Sequence, residues 1–275
     1  MPVHLLTAAC REPQDAMPRS VAYALKEAKV VDIKVSPFPM QNGQKIQVDL
    51  KANMKPRYLD EYTREELPLK ELQEAMRDEL SYLNDNVWEG APIDEALLVP
   101  NAVVVGTRWI LSNKQDKENP DVRARLVAQE VAHTHDESYF AATPPLEAKR
   151  ALISTMVTER TRNGLPLKLS LVDVRKAYFN GTPTRDIFVR IPVEMGLSRK
   201  TVAKLKKCLY GTRDAGHIWE AVYGDALIAM CFNQGKASPC CFHHPGWQVN
   251  LVVHGDDFSA LGTDTGLDLW EKGMA

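Results

Sequence analysis

Asp173 closes the apolar run Leu169-Ser170-Leu171-Val172. Asp256 and Asp257 follow a second apolar run, Val249-Asn250-Leu251-Val252-Val253, within His254-Gly255-Asp256-Asp257-Phe258. Carboxylates at the end of one strand and in the tight turn after another can converge across a sheet. Such a cluster repels itself unless a divalent cation neutralises it. Oxygen-only donors suit Mg²⁺ or Mn²⁺; Mg²⁺ takes few protein carboxylates and completes its shell with water and substrate phosphates. Two such ions about 3.5–4 Å apart activate an attacking hydroxyl and stabilise the leaving oxygen in phosphoryl transfer, the chemistry of nucleic-acid polymerases. The plainer reading of Gly-Asp-Asp is a hairpin turn with two solvated side chains.

The elements that must position these residues are legible in outline. Leu167–Val172 reads as a strand ending at Asp173, and residues 174–180 turn sharply off it into a short helix. Gln248–Val253 and Phe258–Leu261 read as strands flanking the turn. Ahead of them, Thr63-Arg64-Glu65-Glu66 has the form of a helix-capping box. Leu69, Leu72, Met76, Leu80 and Leu83 then make one apolar stripe at helical spacing. Ala102–Leu111 and Val122–Gln129, joined by a polar turn, make a hairpin. Leu146–Arg160 reads as a helix with Leu152, Ile153, Met156 and Val157 inward. Asp186–Pro192 and Val202–Leu209 read as extended. Asp214–Met230 reads as a helix with Ile218, Val222, Ala226 and Met230 inward. Helices and strands in mixed order around an antiparallel hairpin predict α+β architecture, with a central antiparallel sheet packed on helices. Residues 1–62, where only Val30–Val35 and Lys45–Leu50 alternate as a hairpin would, are expected to be a poorly ordered extension or spacer; residues 63–275 form the domain.

At 275 residues the chain can bury a sizeable core, and its 44% apolar and 25% charged content is ordinary for a globular protein. No apolar run approaches the roughly 18–20 residues of a membrane span, so no membrane partner is expected. Five cysteines without CxxC spacing argue against a disulfide framework. The adjacent Cys240 and Cys241 are poorly placed to chelate one zinc ion. The net charge of −2 argues against a generic nucleic-acid binder. It is uneven, however: residues 1–100 hold 12 Lys+Arg against 17 Asp+Glu, the remainder 22 against 19. A basic groove in the C-terminal part is compatible with these totals, which do not demonstrate one.

From about Leu69 to about Gly262 the chain resembles the reverse transcriptase of copia-type LTR retrotransposons. The matching segments come in family order: Ala75–Leu80 with Val87-Trp88-Glu89, Val122–Gln129, Tyr139–Pro144, Leu171–Gly181, Lys204–Gly211 and Val253–Asp257. The resemblance implies a fingers-and-palm core in which Asp173, Asp256 and Asp257 are catalytic. Asp173 and Asp256 would bridge two Mg²⁺ or Mn²⁺ ions, Asp257 would stand beside them, and the backbone carbonyl of Val174 would be a further ligand. It places Arg123 and Arg125 against the triphosphate of the incoming nucleotide; the alternative is a solvated strand face. It sets Tyr178 under the nucleotide sugar, where it would exclude a 2′-hydroxyl; the alternative is an ordinary core aromatic. Arg213 keeps the charge of the family's usual lysine. The implied partners are an RNA or DNA template with its primer, dNTPs, and the other Pol regions (thumb, RNase H, integrase). The implied location is the cytoplasm, in a virus-like particle of an intact element, or the nucleus.

The chain departs from the family in places. Asp214 replaces a glutamine, which puts a negative charge where template and nucleotide are expected, and Gly216 replaces a proline. His254-Gly255 stands for the usual Tyr-Val, and Leu171 for a glutamine. The chain ends at Ala275, shortly after the Asp-Asp turn, so the thumb is expected to be missing and the isolated chain to be a weak or inactive polymerase. The rival expectation is a retroelement remnant or domesticated fragment that folds but does not polymerise.

Overall fold

The computed structural model describes residues 45–46, 50, 54–55, 57–131, 139–159, 164–197 and 199–274. Among them are five α-helices: α1 (Leu69–Asn86), α2 (Ile93–Leu98), α3 (Leu146–Thr158), α4 (Ala215–Ala229) and α5 (Asp264–Met274). The strands are β1 (Trp88–Pro92), β2 (Val103–Asn113), β3 (Val122–Gln129), β4 (Lys168–Asp173), β5 (Ile187–Arg190), β6 (Thr201–Leu205), β7 (Asn233–Gln234), β8 (Cys241–His244), β9 (Val249–His254) and β10 (Asp257–Gly262). The architecture is mixed α and β, with two five-stranded sheets where the sequence suggested one. The described residues fall into two compact units. The first takes those of Ile33–His135 and Thr182–Ala215, the second those of Asp136–Gly181 and Gly216–Ala275. Most of the expected 1–62 extension, including the Val30–Val35 strand, lies outside the described residues.

The first unit's sheet runs β1-β6-β5-β2-β3, antiparallel except for β2 on β5. Leu72, Met76, Leu80 and Leu83 of α1 are wholly buried, as the apolar stripe predicts, while Leu69 at its start stays partly exposed. The expected capping box is something else. Asp60 accepts the N–H groups of Tyr62, Thr63 and Asn113, Leu59 bridges Glu66, and Arg64 is left-handed at φ 62°. Thr63–Glu66 is therefore a turn tied to the end of β2. The helix begins only after Pro68, whose ring disfavours helical backbone in the residue before it.

The second unit's sheet runs β4-β10-β9-β8-β7, antiparallel throughout. Residues alternate between its faces, as the pleat demands. On one face, Leu251 and Val253 of β9 and Phe258 and Ala260 of β10 pack with Trp219, Tyr223 and Leu227 of α4 and with Leu267 and Trp270 of α5. On the other, Val252 and Leu261 meet Leu152 of α3. Two inward stripes differ from expectation. In α4 the buried line is Trp219, Tyr223, Ala226 and Leu227, with Ile218 and Val222 only half-buried. Tyr223 sets that rotation, packing edge-on against Phe242 and Phe258. In α3, Ile153 and Val157 are exposed, because the helix turns Leu152 and Met156 to the sheet.

His244 at the end of β8 is buried and stacked on Trp247, 4.0 Å between ring centroids, with Phe232 edge-on. Its Nδ1 accepts the Trp247 N–H at 2.8 Å, which requires an unprotonated Nδ1. Burial, aided by the charge of His243, pushes its pKa below the ordinary 6.5. A folded-state value below the unfolded one contributes stability that is present above the unfolded pKa and lost as pH falls through the folded one. The melting temperature should therefore decline as pH drops from about 7.5 to about 5.5, and His244→Gln should flatten that decline. Equal slopes in the two proteins would assign the loss to other groups.

Candidate active site

β4 ends at Asp173 and β10 starts at Asp257, and the strands pair with these two residues opposite each other. On its other side Asp257 faces His254. The tip between β9 and β10 is a two-residue turn, Gly255-Asp256. Gly255 has φ +65°, and Asp256 is not among the residues of positive φ, the pattern of a type II′ hairpin with glycine in its first central place. The tip is held from two sides. Trp219 Nε1 donates to the Gly255 carbonyl, and the Val174 N–H donates to the Asp256 carbonyl, both at 2.9 Å. The main chain thus brings Asp173, Val174, Asp256 and Asp257 together across more than 80 residues of sequence.

The side chains are less gathered than the backbone. Asp173 and Asp257 are exposed and Asp256 is half-buried. Among the described residues no three His, Cys, Asp or Glu groups are drawn close enough to hold a metal ion. Like charges opposite each other on paired strands repel, which favours splayed carboxylates when no cation is bound. The donors are all oxygen, and Asp173 and Asp257 are open to water, which fits a hard cation that keeps part of its hydration shell.

Residues 174–180 leave β4 as expected. Lys176 is left-handed at φ 56°, and a short 3₁₀ helix, Ala177–Asn180, follows. It buries Ala177 and Phe179 and leaves Tyr178 half-buried against the core. Burial first, and the charge of Asp256 second, raise the Tyr178 phenol above its usual pKa. Tyr178 is thus both a packing aromatic and a neighbour of the aspartate turn.

The basic residues belong to the first unit. Arg123 and Arg125 are exposed and alternate with buried Ala124 and Leu126, so they share one face of β3. Arg123 pairs with Asp121 at 3.3 Å, and the Arg125 guanidinium lies over the Tyr210 ring at 6.0 Å. Beside β3 runs Tyr210-Gly211, whose carbonyls accept the N–H groups of Ala128 and Glu130. Gly211 has φ +86°, and a Cβ there would lie 2.1 Å from the Ala128 carbonyl oxygen, so only glycine fits.

Arg213 is half-buried, and its N–H donates to Glu130 at 2.9 Å. The sequence gives no sign of what meets Asp214. Arg185 donates two hydrogen bonds to Glu130, at 2.8 and 3.0 Å, and one to Asp214 at 3.2 Å. The negative charge that departs from the family pattern is therefore buried and paired, not presented to a ligand. Burial raises the Glu130 carboxyl, but the Arg185 guanidinium and the Arg213 N–H outweigh it and hold the group below its ordinary pKa. Glu130 and Arg185 escaped the sequence reading because they lie 55 residues apart with no shared motif.

Two outcomes are expected. Arg185→Met should cost about 3–5 kcal/mol in urea unfolding at neutral pH, because it leaves two buried carboxylates without their cation; adding Glu130→Gln and Asp214→Asn should recover part of the loss. Gly255→Val should cost about 1–2 kcal/mol, the penalty for left-handed backbone in a residue with a Cβ. An unchanged denaturation midpoint in either single variant would contradict the geometry behind it.

A family model described as reverse transcriptase (RNA-dependent DNA polymerase) matches residues 97–267. The chain is 25% identical over 177 residues, 60% of its length, to the retrovirus-related Pol polyprotein from transposon TNT 1-94 of Nicotiana tabacum, of which the match covers 13%. It is 25% identical over 199 residues, 69% of its length, to the corresponding polyprotein from transposon RE1 of Arabidopsis thaliana, again 13% of that protein. Over 193 residues, 70% of its length, it is 22% identical to the transposon Ty1-DR5 Gag-Pol polyprotein of Saccharomyces cerevisiae, covering 10% of it. The chain thus corresponds to a small part of each of these polyproteins.

Proposed function

Because the chain belongs to the reverse transcriptase (RNA-dependent DNA polymerase) family, and its homologues are copia-type Pol polyproteins of plant and yeast transposons, we propose that it is the fingers-and-palm core of a copia-type reverse transcriptase. The reaction is transfer of a deoxynucleotide to a primer 3′-hydroxyl on an RNA or DNA template, with release of pyrophosphate. The observation that carries this reading is the register of β4 on β10, which sets Asp173 opposite Asp257 with Asp256 in the adjoining turn. The palm would correspond to the unit holding these aspartates, and the fingers to the unit holding the β2–β3 hairpin.

Asp173 and Asp256 would hold two Mg²⁺ or Mn²⁺ ions, with the Val174 carbonyl as a further oxygen donor and Asp257 as the adjacent carboxylate. Bound there, the ions would supply charge stabilisation for the attacking and leaving oxygens. Arg123, Arg125 and Arg213 would hold the triphosphate through guanidinium hydrogen bonds. Tyr178 would lie under the sugar and leave no room for a 2′-hydroxyl. Other Pol regions would complete the grip on the primer–template.

Mn²⁺ should raise the melting temperature, since a ligand bound only by the native state stabilises it by about 2.7 kcal/mol at roughly 100 times its Kd. Asp173→Asn and Asp256→Asn should abolish both that shift and primer extension on an RNA template. Tyr178→Ala should admit more ribonucleotide relative to deoxynucleotide. Equal Mn²⁺ shifts in wild type and both variants would place the ion elsewhere. A folded chain that neither binds Mn²⁺ at these aspartates nor extends a primer would be the non-polymerising remnant instead.

A further inference from the structure

β5 pairs with β2 only as far as Val189 opposite Val105. The last tie is the Thr107 hydroxyl, which donates to the Arg190 carbonyl at 2.7 Å. Beyond it the chain leaves β2 through a 3₁₀ turn, Val193–Met195, and a cavity of about 690 Å³ opens between β2 and residues that include Arg190–Glu194, Leu197 and Arg199. That volume lies in the range of small-molecule and cofactor pockets.

The lining is polarised from floor to rim. At the floor are buried Leu126, Tyr58 and Glu194, with the Tyr58 hydroxyl donating to Glu194 at 3.1 Å. Trp109 also lines the cavity, although its indole N–H is shielded from solvent. At the rim, Lys55, Arg190 and Arg199 are exposed, and none has an ion pair among the described residues. Arg108 also reaches the cavity but is already paired with Glu61. Three cations without an ion pair among the described residues, above a floor with one carboxylate and the Trp109 ring, suit a ligand that is anionic at one end. Its other end should be flat and largely apolar, carrying a hydrogen-bond donor for Glu194. Nucleotides have that construction.

This face is not the one that carries Arg123 and Arg125. Trp109 stands opposite Leu126 in the β2–β3 pairing, whereas Arg125 stands opposite Ile110, so the two sets alternate to opposite faces. We propose that the cavity binds a nucleoside phosphate, on the strand face away from Arg123 and Arg125. The phosphate lies among Lys55, Arg190 and Arg199, and the base points down to Trp109 and Glu194. The same chemistry is offered by a free mononucleotide and by the terminal nucleotide of a strand.

The test is calorimetry on the full chain in EDTA, where divalent ions are withheld from the aspartates, with AMP, inorganic phosphate and a single-stranded (dT)₈ as probes. AMP should bind saturably at one site. Its affinity should fall about tenfold or more in the Arg190→Gln, Arg199→Gln double variant, as loss of charge-assisted hydrogen bonds implies, and several-fold in Trp109→Leu, which removes the aromatic ring. If the double variant fails to fold by circular dichroism, Lys55→Gln gives the same reading. Tighter binding of (dT)₈ with the same dependence on these residues would support the site and assign it to a strand end. No saturable AMP binding, AMP binding indifferent to the arginines, or phosphate binding as tightly as AMP would overturn the proposal. So would loss of AMP binding in Asp256→Asn, which would put the ligand at the aspartates.

Discussion

The register of β4 on β10 is the constraint on which the site depends. Side chains on a strand alternate, so a slip of one residue would send Asp173 to the face occupied by Val172. The register is pinned from both sides of the sheet. Phe258 and Ala260 are held in one core with Trp219, Tyr223 and Trp270, while Leu261 is held in another with Leu152 and Val252. Neither face tolerates the opposite set. The carboxylates thus derive their placement from apolar residues several positions away, and the like charges need no favourable contact of their own to be brought together.

The hairpin tip adds a second restraint. A type II′ turn leaves no slack between β9 and β10, and the hydrogen bonds from Trp219 and Val174 fix the two tip carbonyls. Glycine at 255 takes its positive φ without the strain that a β-branched residue would store there. The positive φ falls on a glycine, and both aspartates follow it directly in sequence.

Much of this is legible from the residues alone. The strand before Asp173, the hairpin around Asp256-Asp257, the β2–β3 pair and the stripe of α1 follow from short-range patterns, and short-range patterns are what a sequence displays. The failures have long-range causes. The Thr63–Glu66 segment resembles a helix cap, but Asp60 and the end of β2 claim it. The stripe of α4 is rotated because aromatic contacts with β8 and β10 outweigh simple spacing. Strands β1, β7 and β8 are short and lack alternation long enough to notice. Arg185 could not have been linked to Glu130 and Asp214, since nothing local to any of the three names the others.

Asp214 shows why a departure from a family pattern cannot be judged by its charge alone. Read from sequence, it sets a carboxylate where a phosphate-bearing ligand is expected, and such a group would repel its ligand. In the fold, the same carboxylate is nearly inaccessible and meets Arg185, which also holds Glu130. Two carboxylates sharing one guanidinium leave a net negative charge, offset in part by the Arg213 N–H on Glu130. Such an arrangement contributes less through attraction than through the penalty for breaking it, because the two carboxylate side chains are shielded from water and would be left unpaired. It fixes the end of β3 against the Tyr210–Asp214 segment, on which Arg213 is carried. The carboxylate therefore acts on the backbone that carries Arg213, and not on a ligand directly.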